Sequence, residues 1–308
     1  MIAMREDIFF DSCGAGEIHA CIWTGDDTPR GIIQIVHGIG EHVLRYDEFA
    51  EYLCQKGFVV VAEDHMGHGA SKTKDGIRGY FHGGWFAAVD DTMKLMSLAK
   101  KRFEGLPYIL FGHSMGSFIA RTVLAKYPDC GIAGCVICGT GWQSPALLAV
   151  GLPMCNLICR REGEKTPSEF LHKLVFGGYN KRVEHLRTQS DWLTRDDRIV
   201  DAYIADPLCG FVPSAGLMRD MMTGISFIQK KENLANMNTK IPVFFIAGGD
   251  DPVGDYGKGV RKCAEEFKKV GMESVSVRIY PLCRHEIHNE INREEIYDDV
   301  SEWVSKLI

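Results

Sequence analysis

Tyr108-Ile109-Leu110-Phe111-Gly112-His113-Ser114-Met115-Gly116 is the stretch on which the reading of this chain turns. The four apolar residues before Gly112 read as a short buried strand. Ile119, Val123, Leu124 and Tyr127, at helical spacing before Pro128, read as an amphipathic helix. Between them lies G-x-S-x-G, a turn so sharp that its glycines stand where a Cβ is not tolerated. A serine on such a strand-turn-helix step presents its hydroxyl at the edge of a sheet, so Ser114 is the candidate nucleophile. An ordinary helix-capping serine needs no glycine two residues before it.

The same alternation continues in both directions. Further strands are expected at 18–23, 32–36, 58–62, 134–138, 243–246 and 275–280, and helical patterns fall between them. Two of these patterns, 256–270 and 293–307, follow the last two strands. Strands alternating with helices predict an α/β fold, with a mostly parallel central sheet flanked by helices. From 141 to 236 the strand rhythm stops, and a helical pattern broken by Pro and Gly takes over. This predicts an inserted, mainly helical cap at 141–236 between two parts of the core, 1–140 and 237–308.

The turns after strands carry the remaining candidates. His37-Gly-Ile-Gly-Glu-His42 follows the strand at 32–36, where a second oxyanion donor belongs, so the backbone N–H groups of Ile39 and Met115 are the expected oxyanion hole. His37 and His42 are read as structural. After the strand at 243–246 come Asp250 and Asp251, of which Asp251 is favoured to orient a base; Asp255 is read as complementing a helix N-terminus. After the last strand, His285 is favoured over His288 as the base because it stands nearer the strand end. The order Ser114, Asp251, His285 is that of the α/β-hydrolase fold.

Composition narrows the field. Among 308 residues, 45% hydrophobic and 25% charged residues fit a packed soluble protein, and a net charge of −6 argues against a nucleic-acid partner. The N-terminus meets acidic residues at once and lacks a secretory pattern, so a cytoplasmic location is expected. Eleven cysteines, an odd number in a chain of this size, fit a reducing compartment. Cys135 and Cys138 form C-x-x-C, but strand alternation sends them to opposite faces. No cofactor is expected, as the chain has no glycine-rich phosphate cradle. No metal ligands are assigned either: the histidines of His285-Glu-Ile-His288 are three apart instead of four, and His65-Met-Gly-His68 reads as a turn.

Together these motifs resemble the monoacylglycerol lipase and lysophospholipase branch of the α/β-hydrolases, from about residue 10 to the end. The resemblance rests on 37–42, Arg45-Tyr46, Asp64-His-Met-Gly-His-Gly-Ala-Ser71, 112–116 and 285–288; within the cap only 191–197 and Asp206-Pro-Leu match. Met66 departs from it, since relatives usually carry arginine there. The resemblance implies a serine hydrolase of single-chain lipid esters such as monoacylglycerols or lysophospholipids. A short-chain or feruloyl esterase, a proline-iminopeptidase-type peptidase and a non-catalytic binder on the same scaffold stand as alternatives. The apolar run 145–159, followed by Arg160 and Arg161, either packs the cap on the core or serves substrate. In the second case Leu148 and Leu152 line an acyl tunnel, or the run makes a peripheral contact with a membrane or micelle.

Overall fold

The computed structural model describes residues 3–308. Five strands are buried end to end: β3 (Gly31–Val36), β4 (Phe58–Glu63), β6 (Tyr108–His113), β7 (Gly134–Cys138) and β8 (Val243–Gly248). Continuous burial is what their near-unbroken apolar runs require, because a parallel sheet is covered on both faces. With β9 (Val275–Tyr280) they form a parallel block in the order β4-β3-β6-β7-β8-β9. Beyond β4 the sheet is extended by two antiparallel strands, β2 (Gly16–Thr24) and the edge strand β1 (Met4–Asp11). The short β5 (Lys72–Thr73) pairs with the start of β2. Neither β1 nor β5 is among the strands expected from the sequence. In β1 the burial is one-sided and mostly slight, so Met4-Arg-Glu-Asp carries no apolar run to read.

Helices cover both faces. On one side, α1 (Asp47–Gln55) and α10 (Arg293–Ser305) enclose a core containing Phe49, Phe111, Val136 and Tyr297. On the other, α2 (Gly84–Arg102), α3 (Met115–Lys126) and α9 (Lys258–Lys269) pack over Val61, Leu110, Ile137 and Phe245. Cys135 belongs to this second core and Cys138 to the first, so the C-x-x-C pair does point to opposite faces, and both thiols are buried. Helix α9 begins two residues later than expected. Asp255 and Tyr256 adopt φ of 47° and 56°, outside helical space, so Asp255 lies in the turn before the helix rather than in its first turn.

Between β7 and β8 the chain adds no strand to the sheet and forms five α-helices: α4 (Pro145–Glu162), α5 (Glu169–Phe176), α6 (Asp197–Ala205), α7 (Ala215–Ile228) and α8 (Lys231–Ala235). Helix α7 packs against α2 and α3 as well as α4. The contact with α2 is tight at Gly224, where a Cβ would strike the Trp85 indole. The insertion is thus bound to the core helices through α7, while α5 and the loops around α6 stand over the carboxyl ends of the parallel strands.

Candidate active site

Ser114 stands between β6 and α3 with φ 55° and ψ −121°. A β-carbon-bearing residue pays a strain of order 1–3 kcal/mol for such a backbone, and it persists only where the surroundings impose it. Here they do. A Cβ on Gly116 would run into the carbonyls of Val36 and His37, and one on Gly112 into the Gly116 carbonyl and Ala120. The two glycines therefore let α3 close down on β3 and β6.

Asp251 and His285 arrive from the ends of β8 and β9. His285 Nδ1 lies 3.0 Å from Asp251 Oδ1, which also accepts the Val253 N–H at 2.9 Å. Both side chains are buried. Burial disfavours the imidazolium, but the Asp251 carboxylate outweighs it by charge and hydrogen bond, with help from Glu286 and Glu41, so His285 titrates above the ordinary histidine range. Asp250 is exposed on its own turn, with its amide bonded to the Cys283 carbonyl. His288 makes no hydrogen bond through either ring nitrogen and stacks on Tyr46 at 4.6 Å. Burial and the neighbouring His113 push it down to about 3, which suits a neutral packing residue.

The loop after β3 comes close to the serine: a Cβ on Gly38 would lie 2.6 Å from Glu41 Oε1 and 3.0 Å from Ser114 Cβ. The Gly38 N–H is spent on Glu41 Oε1 (2.6 Å), so the Ile39 amide is the next along this loop. Met115 opens α3, where helix N–H groups have no intrahelical partner. His37 donates from Nδ1 to the Gly38 carbonyl and accepts the His65 N–H on Nε2. Burial holds it well below the ordinary range, a neutral ring used up in shaping the loop. His42 Nε2 meets Asp206 Oδ2 at 2.7 Å and ties the loop to the insertion.

Ser114, His285, Gly38, Ile39 and Gly40 line one cavity of about 490 Å³. Its outer wall comes from the insertion: Phe176, Trp192, Leu193, Tyr203, Phe211 and Pro213, with Glu169, His172 and Lys173 adding polar groups. Leu148 and Leu152 are not among the lining residues, which goes against the tunnel-lining alternative for the apolar run and not against the packing one. Helix α4 lies against α7, and at Gly151 a Cβ would meet the Met222 methyl. Its other side, with Leu147, Val150 and Leu157, is exposed. The chain therefore spends the run on packing and on surface, and the cavity wall comes from later residues.

Residues 27–292 match the serine aminopeptidase family S33. The chain belongs to this family. It is 31% identical to a monoacylglycerol lipase of Mycolicibacterium smegmatis over 97% of both chains. It is 29% identical to human monoglyceride lipase, over 92% of this chain and 85% of the relative. In three dimensions it is similar to a highly thermostable carboxyl esterase from Bacillus coagulans solved in complex with glycerol, with TM-score 0.91, 31% identity and 98% of each chain covered.

Several residues of this S33 site escape the sequence reading. Arg45 is nearly buried and makes two parallel bonds to Glu286, both 2.6 Å, while its Nη1 also reaches Glu41 Oε2 at 2.8 Å. Tyr46 donates to Glu41 Oε1 at 2.9 Å. This cluster clips the loop bearing Gly38 to the loop bearing His285. The Trp192 ring lies tilted against the His285 ring with centroids 5.0 Å apart, and the Trp192 carbonyl accepts the His285 backbone N–H. The available signals were the resemblance at Arg45-Tyr46 and at 191–197, which marked these residues without saying what they touch.

Proposed function

We propose that this chain is a serine carboxylic-ester hydrolase acting through an acyl-enzyme on single-chain lipid esters such as monoacylglycerols or lysophospholipids. The observation that carries the reading is that His285, held 3.0 Å from the buried Asp251, lines together with the strained Ser114 a cavity whose outer wall is largely aromatic and aliphatic. In this reading His285 takes the Ser114 proton as the hydroxyl attacks the ester carbonyl, and Asp251 stabilises the imidazolium. The oxyanion falls to the Ile39 and Met115 amides. His285 then returns its proton to the leaving alcohol and activates water to release the acid. The names of the relatives support a lipid ester as substrate, and the cavity wall supports an acyl chain, since each buried methylene contributes about 0.8 kcal/mol.

Contact with a lipid surface belongs to the same reading. Leu147, Val150 and Leu157 on α4 and Phe170 and Leu174 on α5 are exposed, and Arg160 and Arg161 end α4. Among the described residues no helix is long and apolar enough to cross a membrane. A surface contact is the geometry these residues favour.

The test is kcat/KM across acyl lengths, head groups and ester versus amide, below micelle-forming concentrations, with fluorophosphonate labelling. Ester turnover rising from acetyl to longer chains, with both turnover and labelling lost in a folded Ser114→Ala, is the expected result. A preference for acetyl esters would move the protein to the short-chain esterases, and a preference for amides to the peptidases. Undiminished turnover in Ser114→Ala would remove the assignment.

A further inference from the structure

Away from the cavity, three side chains meet at the β1–β2 hairpin. His19 and Cys21 stand two positions apart on β2 and so share a face, and Asp7 on β1 pairs with Cys21. Asp7 Oδ1 lies 2.7 Å from His19 Nε2 and 3.5 Å from Cys21 Sγ, and Sγ lies 3.8 Å from Nε2. The other ring nitrogen is committed: Nδ1 is 2.8 Å from Asp64 Oδ2. Asp64 also accepts the amides of Val43 and Ala70. With both carboxyl oxygens already accepting backbone N–H groups, Asp64 is the acceptor and Nδ1 the donor in this contact. That leaves Nε2, which now donates its hydrogen to Asp7 and lies beside Cys21, as the ring atom free to exchange that proton for a metal.

We propose that Asp7, His19 and Cys21 form a binding site for a divalent cation of the zinc class, with Asp64 orienting the histidine from behind and a solvent molecule completing the coordination. Tetrahedral zinc takes nitrogen at about 2.0–2.1 Å, oxygen at about 2.0–2.2 Å and sulfur at about 2.3 Å, which separates neighbouring donors by about 3.3–3.6 Å. Two of the three separations are within a few tenths of an ångström of this. The third, a hydrogen bond now, has to open by about 0.6 Å to match. Asp7 can turn to allow it, because its side chain is 48% exposed. A carboxylate bonded to the far nitrogen of a ligating histidine is the usual arrangement behind such metals, and nitrogen, sulfur and carboxylate oxygen together suit zinc or cobalt.

Charge and protons balance. Without metal, His19 as an imidazolium between two carboxylates and Cys21 as a thiol give the site one net negative charge. Binding M²⁺ breaks the Nε2–H and S–H bonds, forms metal–nitrogen and metal–sulfur bonds and releases two protons, so the net charge stays the same and no oxidant is needed. The hydrogen bonds of the nearby cations go elsewhere: Lys72 bonds Glu17 and Arg5 bonds Asp47 through Nη1, while Arg5 Nε keeps a looser 3.8 Å pairing with the outer oxygen of Asp7, Oδ2, leaving Oδ1 to the metal. A metal here would pin the edge strand β1 to β2 and, through Asp64, to Val43 behind the Gly38 loop. The sequence reading assigns no metal ligand. His19-Ala-Cys21 has no diagnostic spacing, and Asp7 joins only through hairpin pairing.

The experiment strips the full chain with a chelator and titrates Co²⁺, then Zn²⁺, following absorbance and thermal unfolding. Expected are one equivalent of Co²⁺ with a thiolate-to-cobalt charge-transfer band, its displacement by Zn²⁺ and a Zn²⁺-dependent rise in Tm. Cys21→Ser should abolish the band, and Asp7→Asn, at an exposed position, should weaken binding at least ~10-fold. Ester turnover in both variants reports that they have folded. His42, Asp206 and Cys209 form another close donor cluster, so Cys209→Ser serves as the control and should keep the band. No thiolate band at stoichiometric Co²⁺, or a band that survives Cys21→Ser, would overturn the proposal.

Discussion

His285 owes its raised titration chiefly to one neighbour, and that makes the Asp251 carboxylate visible in a pH profile. Burial alone would lower the imidazole; the carboxylate raises it. In the proposed reaction His285 must be neutral to accept a proton, so the acid limb of kcat/KM is expected above the ordinary ~6.5 of histidine. Asp251→Asn should move that limb downward and cut kcat by roughly 10⁴, as in other serine triads. A limb that stays in place would show that another group sets it, and an equal loss in Asp250→Asn would transfer the role. Gly38 supplies a second residue-scale test. A methyl there would meet Glu41 Oε1, which cannot retreat because it also accepts from Tyr46 and sits 3.2 Å from His113 Nδ1. Gly38→Ala should therefore displace the Ile39 amide and lower kcat by ~10²–10³ while KM changes little; steady-state kinetics on a soluble ester decides it.

Between elements, the short turn Val43–Tyr46 matters more than its length suggests. Its Arg45 joins the loops after β3 and β9, and both Glu41 and Glu286 stay ionised beside it despite burial, which acts against them. Removing the cation leaves two buried carboxylates facing one another. Arg45→Met is expected to lose ~3–5 kcal/mol of stability in denaturant unfolding, and a lysine cannot restore the parallel pair of bonds. Helix α4 calls for the opposite kind of test. With Leu147, Val150 and Leu157 outside the cavity, aspartate at any of them should leave soluble-ester kcat/KM within about twofold and stability within ~0.5 kcal/mol, the range for surface changes. The same changes should weaken co-sedimentation with anionic vesicles. Unaltered vesicle binding would discard the lipid contact. Chain-length preference should respond instead to Phe176→Asp or Leu193→Asp.

Across the whole molecule the sheet buries ionisable groups whose balance sets stability against pH. Glu63, at the end of β4, accepts from Thr92 and Gln34 and is pushed up to about 7, chiefly by burial. Its folded value lies above its unfolded one, so its contribution is complete below the unfolded value near 4.5 and is lost as pH rises through about 7. Glu63→Gln is nearly isosteric. Its oxygen can accept from Gln34, and its amide can donate to Thr92 Oγ1, which has the Ala88 carbonyl 3.2 Å away to donate to in turn. Urea unfolding from pH 5 to pH 8 should show the parent losing stability relative to this variant; parallel curves would mean that Glu63 is ionised throughout.

What the sequence determined by itself is whatever depends on a few consecutive residues. The alternation of buried strands with helices follows from local periodicity. The G-x-S-x-G turn declares its strain through its glycines, and the order of Ser114, Asp251 and His285 follows from each standing just after a strand, so one sheet edge collects all three. The same locality explains the failures. Strand β1 is polar outside and draws its pairing from β2, so its own residues do not announce it. The run 145–159 is apolar, but only the docking of α4 on α7 decides which side meets protein and which meets solvent. The cavity wall at Phe176, Trp192 and Phe211, the clasp of Arg45 on Glu41 and Glu286, and the meeting of Asp7 with His19 and Cys21 each join residues distant in the chain or on paired strands. Side-chain type specifies what such groups can do once together. Tertiary packing alone decides which of them meet, because that choice is settled by burial and pairing summed over the whole fold.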